Sequence, residues 1–195
     1  MSTALHKPLP GKLLFIVITA IVLAVLGVFT GISMIATLAF NEQIMNLSAE
    51  QQPPKFKEAL EKFQRAGKQS QQLALPLYAV KTILSGLFLW SSILVIKRRE
   101  RGRVDLRRWF TAALFVEFIG LGLMIYSQYQ MIEPTREYYE AVLPQMAKAA
   151  VPMMVAGLVF VVGWTALKVI YYVIGRRALA NPAYREYFSD SSSVA

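Results

Sequence analysis

A chain of 195 residues that is 55% hydrophobic, with a mean hydropathy of +0.43, reads as a membrane protein rather than a water-soluble domain. Its formal charge of +9 would suggest nucleic acid in a soluble protein, but the distribution of that charge accounts for it as a topology signal, and no nucleic-acid partner is expected. The chain has no cysteine, which excludes disulfides, thiolate nucleophiles, Cys-ligated zinc, iron–sulfur clusters and covalent c-type haem, and its single histidine, His6, excludes a bis-histidine haem or a histidine base among the spans.

The N-terminal tail, 1–12, carries Lys7 and Lys12 and leads into Leu13–Phe40, the first of four stretches that exceed the ~20 apolar residues needed to cross ~30 Å of hydrocarbon. Its apolar run is about twice the length of a signal-peptide core, so it reads as a retained anchor. The connection 41–72 carries a helix signature: Pro53 and Pro54 at its start, then Phe56, Ala59, Leu60 and Phe63 on one face. Glu58 with Lys62 and Glu61 with Arg65 add (i, i+4) pairs, and the segment is expected to form an amphipathic helix of its own.

The second span is Leu73–Ile96, followed by a basic loop, 97–108, and the third span, Trp109–Ile132. The connection 133–150 repeats the amphipathic plan, with Pro134 followed by Tyr138, Tyr139, Val142 and Met146. Its string Tyr139-Glu140-Ala141-Val142 looks like Lys57-Glu58-Ala59-Leu60 of the first connection. Two copies of one unit and two coincidentally similar connections both account for this. The fourth span, Val151–Ile174, precedes a tail, 175–195, whose Ser-rich end after the Asn181-Pro182 turn reads as disordered. The expected fold class is therefore all-α: an antiparallel four-helix membrane bundle with amphipathic helices in two external connections.

Basic residues resist translocation, so their count orients the spans. Lys7, Lys12, Lys97, Arg98, Arg99, Arg101, Arg103, Arg107, Arg108, Arg176, Arg177 and Arg185 share one side, which carries about +8, while the other two connections balance seven basic against seven acidic residues. Both termini are expected in the cytoplasm, with the protein in a plasma or bacterial inner membrane. Trp90, Trp109, Trp164 and the tyrosines near the span ends fit interfacial anchors.

Helices meet in lipid through small and polar residues. The stripes that mark such faces are Ala20, Ala24, Gly27, Gly31 and Met34 in the first span, and Tyr78, Lys81, Ser85, Phe88 and Ser92 in the second. The third offers Ala113, Glu117, Gly120, Met124 and Ser127, and the fourth Gly157, Trp164, Lys168 and Tyr171. Gly27 and Gly31 fit either packing within the bundle or a contact with a second copy, so a homo-oligomer stays open.

Three ionisable residues fall inside the spans: Lys81, Glu117 and Lys168. Glu117 lies nine residues beyond Arg108, ~13 Å from the basic boundary, and Lys168 eight residues before Arg176, ~12 Å from it. They are expected to pair, as a structural ion pair that sets register or as part of an ion path. The structural reading is preferred because the far halves of these two spans offer only Ser127 and Gln128 as further polar steps. Lys81 stands alone in the opposite half of its span.

No nucleotide-binding loop, nucleophile elbow, zinc-protease motif or paired aspartates within a span is present, so no catalytic residue, metal site or cofactor is expected. The chain reads as a non-enzymatic accessory or scaffold subunit that contacts lipid and membrane-protein partners. The basic residues Lys97, Arg98, Arg99, Arg101, Arg103, Arg107 and Arg108 are the candidate contact with anionic lipid or a partner. A small transporter or oligomeric channel using the Glu117/Lys168 level is the alternative, and a lipid-modifying enzyme the third.

Overall fold

The computed structural model describes residues 8–48 and 54–188 and shows an all-α protein of four packed helices. Pro53 and the Ser-rich end, 189–195, lie outside the described residues, as do His6 and Lys7. The helices are α1, Gly11–Ser48; α2, Pro54–Ile96; α3, Glu100–Val142; and α4, Pro144–Ala180. Each is long and apolar enough to cross a membrane, as the helices of a membrane protein are.

The helix boundaries follow local chemistry. Proline opens α2 and α4, where the missing N–H costs no hydrogen bond, Glu100 sits at the positive N-terminus of α3, and Arg177 sits in the last turn of α4. Only Leu143 separates α3 from α4, with Leu143 N donating back to Tyr139 O and Met146 N to Leu143 O. After α4 the Asn181 side chain accepts a hydrogen bond of 3.0 Å from Ala183 N and caps a short 3-10 helix, Pro182–Tyr187.

Two sequence expectations need correction. The segments expected to form separate amphipathic helices are continuations of the spanning helices: α2 runs 43 residues through Gly67 and Pro76, and α3 runs 43 residues through Pro134. A single internal glycine costs only ~1 kcal/mol against alanine, and one proline removes one intrahelical bond, so neither interrupts a long helix held by neighbours. The apolar face nevertheless exists, with Ala59 buried and Leu60 and Phe63 half-buried, while Lys57, Glu58, Glu61 and Lys62 are exposed.

The basic loop is also shorter than expected. Helix α3 begins at Glu100, so Arg101, Arg103, Arg107 and Arg108 stand on its first turns and only Lys97–Arg99 make the turn. Arg98 takes a left-handed φ of 57°, and Gly102 allows the chain to fold back, since a Cβ there would sit 2.7 Å from the backbone of Leu94 and Val95.

The chain divides into two compact units, Met1–Gly31 with Val80–Val116 and Lys168–Ala195, and Ile32–Ala79 with Glu117–Leu167. The first holds the apolar core: Leu13, Ile16, Val17, Ala20 and Ala24 of α1, Phe88 and Val95 of α2, Leu106, Phe110 and Ala113 of α3, Tyr172 and Leu179 of α4. Phe110 is its centre, with ring centroids 5.2 Å from Phe88, 5.6 Å from Tyr171 and 5.8 Å from Tyr172. The Tyr171 hydroxyl donates to Ile16 O at 2.6 Å, tying α4 to α1.

In the second unit the helices meet through polar and aromatic contacts. Lys62 Nζ donates to Glu137 Oε2 at 3.2 Å, Phe63 stacks on Tyr138 at 5.0 Å, and the hydroxyls of Ser70 and Ser127 share a hydrogen bond, all three joining α2 to α3.

Candidate functional site

The structure leaves the sequence-predicted groups in different settings. Glu117 is buried, 7% exposed, and belongs to the second unit, whereas Lys81 and Lys168 are half-buried and belong to the first. All three interact with other groups of the protein. The polar stripe of α3 lies inward as its spacing suggests: Ala113, Glu117 and Gly120 are buried, and Met124 and Ser127 half-buried.

Helices α1 and α2 approach closely where the glycines lie. A Cβ on Gly27 would collide with Ser85 Oγ, and one on Gly31 with Thr82 Oγ1. These glycines therefore serve contact within the chain, which two side chains of ordinary size would hold apart. Met34, at the far end of the same stripe, is exposed.

Half of the face assigned to α4 needs correction: Tyr171 packs on Phe110 and donates to Ile16 O, and Lys168 is half-buried, but Gly157 and Trp164 lie off the packed side. Gly157 is exposed and a Cβ there would meet nothing within 4 Å, and Trp164 is 45% exposed. The inward line is instead Ala150, Met154, Leu158, Val161, Thr165, Tyr172, Gly175 and Leu179, of which Ala150, Thr165, Tyr172, Gly175 and Leu179 are buried. One residue along a helix is a rotation of ~100°, so shifting from 157/164 to 158/165 turns Gly157 and Trp164 off the packed face. The stretch 151–163 of α4 is apolar on every side, so its small residues do not mark the side that packs, whereas Lys168 and Tyr171 further along do.

The basic stretch also divides. Arg103 turns inward: Nη1 donates to Leu179 O at 2.6 Å, Nε and Nη2 donate to the Glu100 carboxylate at 2.9 and 2.5 Å, and the guanidinium lies 5.9 Å from the Phe188 ring. With its side chain 13% exposed, it is a tie between the start of α3 and the end of α4, not an accessible contact residue. Asp105 draws in Arg101 at 3.4 Å and Arg108 at 3.8 Å. Lys97, Arg99 and Arg107 are exposed, and Arg98 is half-buried and engaged with the protein.

In the second unit, Lys62 is flanked by Glu137 at 3.2 Å and Glu58 at 3.5 Å, ahead of the apolar run that starts at Leu73. The hydrogen bond to Glu137, then the charges of Glu137 and Glu58, hold its pKa above the ordinary lysine value. The same unit contains a half-open cavity of about 270 Å³ lined by Thr135, Tyr139, Met146, Ala150, Met153 and Met154. Its wall is mostly thioether and methyl, with the hydroxyls of Thr135 and Tyr139 as its polar side-chain groups. Among the described residues, no group of three or more His, Cys, Asp or Glu side chains converges on a metal-sized space.

Two features were missed in the sequence. The hydroxyls of Ser91 and Ser92 are buried with no hydrogen-bond partner among the described residues; Ser92 lies on the stripe that spacing marks, and the adjacent Ser91 lies off it. The inward turn of Arg103 had a signal, Glu100 three residues before it, which was read only as part of a basic run. Compared with protein-family models, curated proteins and solved structures, the chain matches none.

Proposed function

We propose that this is a non-enzymatic accessory or scaffold subunit of a membrane assembly, with both termini in the cytoplasm, that offers the outer face of α4 to a partner helix and other apolar faces to lipid. The observation that carries this reading is the exposure of the apolar stretch of α4. Only 6% of its most apolar window is buried within the chain, against 28% for α1 and 22% for α2 and α3. Large apolar side chains, Met153, Val159, Phe160 and Leu167, stand exposed along it.

Exposed apolar residues alone would suit lipid. What favours a protein partner is that Ala156, Gly157, Gly163 and Ala166 are exposed among them, so a second helix can approach the α4 backbone closely and gain packing that lipid chains do not match. The orientation rests on the lopsided Lys and Arg count, and the membrane it implies is a plasma or bacterial inner membrane.

A photo-crosslinking residue at Phe160, in cells, tests this reading. It should capture a discrete membrane protein, while the same probe at Phe29 of α1 should capture mainly lipid. Lipid adducts alone at both positions would refute it.

A transporter or channel is the second reading, favoured by the burial of Glu117 in an apolar stretch. It requires ion flux in liposomes that changes on Glu117→Gln.

A further inference from the structure

The basic residues at one end of the helices separate into three groups. Arg103 is taken up by Glu100 and Leu179 O, and Arg101 and Arg108 are partly balanced by Asp105. Lys97, Arg99 and Arg107 are exposed and make no ion pair among the described residues, and the same is true of Arg176 and Arg177 near the end of α4.

These five residues share one compact unit. A Cβ on Gly175 of α4 would sit 2.8 Å from the Phe110 ring of α3, and Leu179 O receives Arg103 of α3, so Arg176 and Arg177 lie alongside the turns of α3 that carry Arg107. The surface next to this cationic band is apolar and exposed: Ile93 and Ile96 on α2, Ile170 and Ile174 on α4. Cations bordering an exposed apolar belt match a molecule that carries negative charge and hydrocarbon side by side. An acidic protein surface in water would meet the cations and leave the belt uncovered.

We propose that Lys97, Arg99, Arg107, Arg176 and Arg177 bind the headgroups of anionic phospholipids, with the acyl chains against the adjoining apolar belt. The planar guanidinium donates two parallel hydrogen bonds to phosphate oxygens, which suits four of the five positions. This deepens the reading of the chain as a spanning membrane protein and rests on it. The assignment also removes Arg103 from the contact surface and adds Arg176 and Arg177 to it.

The test uses the full chain in nanodiscs containing phosphatidylglycerol and phosphatidylcholine in equal amounts, with the lipids that stay bound on release read by native mass spectrometry. Phosphatidylglycerol should be retained several-fold over phosphatidylcholine at low salt, and the preference should shrink as salt is raised. Arg107→Gln with Arg177→Gln should bring retention of the two lipids close to equal, whereas Arg103→Gln should leave the preference unchanged while lowering the melting temperature. Equal retention of the two lipids by the unaltered protein, which needs no variant to fold, overturns the proposal. So does a preference that Arg107→Gln with Arg177→Gln leaves intact. Carbonate extraction of native membranes checks the spanning reading by itself: a protein that stays in the membrane but shows no lipid preference loses only this inference.

Discussion

The two units of the molecule are held together in different ways. One is built around the rings of Phe88, Phe110 and Tyr172, with apolar side chains of all four helices closed against one another. The other is held by Lys62 with Glu137, Phe63 on Tyr138 and Ser70 with Ser127, and among its described residues the buried ones are small or polar: Ala59, Glu117, Gly120, Thr135, Ala150 and Thr165. A packed apolar core resists change, whereas contacts of the second kind exchange readily with water or with another protein. On this contrast the first unit carries the stability, and the second, with its exposed length of α4, carries the proposed recognition.

The largest effect expected from this contrast is at Phe110. Phe110→Ala removes the centre of the aromatic cluster and should destabilise the protein by about 3 kcal/mol, the packing part of the cost of such a cavity, whereas Phe160→Ala, 73% exposed, should shift the melting temperature in detergent hardly at all. Comparable losses at the two positions would break the contrast.

Next come the glycines. Gly31→Leu drives a side chain into Thr82 and should cost about 2 kcal/mol by overpacking, while Gly157→Leu points into open space and should be neutral for the isolated protein. If Gly157→Leu instead abolishes crosslinking at Phe160 without changing the melting temperature, the partner-binding face of α4 is located more sharply.

A smaller loss, about 1.5 kcal/mol, is expected for Arg103→Ala, which frees the Leu179 carbonyl and the Glu100 carboxylate. Its signature is faster proteolysis after Ala180, where the 3-10 helix and Phe188 lose their anchor. The smallest effect is in the second unit: Lys62 is 53% exposed in its ion pair, so Lys62→Ala should barely lower the melting temperature, and less in high salt.

Much of the packing of α1, α2 and α3 is legible in the sequence. The stripes Ala20/Ala24/Gly27/Gly31, Ser85/Phe88/Ser92 and Ala113/Glu117/Gly120 lie on packed faces because small and polar residues stand out in an apolar helix. In helix α4 the expected face holds at Lys168 and Tyr171 and fails at Gly157 and Trp164 for the converse reason: in 151–163 every position is apolar, so composition carries no direction and the packed line is chosen by neighbours. The lengths of α2 and α3 were also hidden, because prolines at Pro54 and Pro134 look alike in sequence, yet one opens a helix and the other sits inside one. Arg103 shows the same limit for charge. Seven basic residues read as one patch, and only the position of Leu179 O separates the residue that is part of the fold from those that face outward.

The central claim is that the exposed side of α4 belongs to an assembly. Native mass spectrometry of the protein released gently from its own membrane tests it most directly. The account predicts a complex with a second membrane protein in fixed stoichiometry, lost when Gly157 and Gly163 are both replaced by leucine. A protein released alone, or as a symmetric ring of identical copies that conducts ions in a Glu117-dependent way, would contradict it.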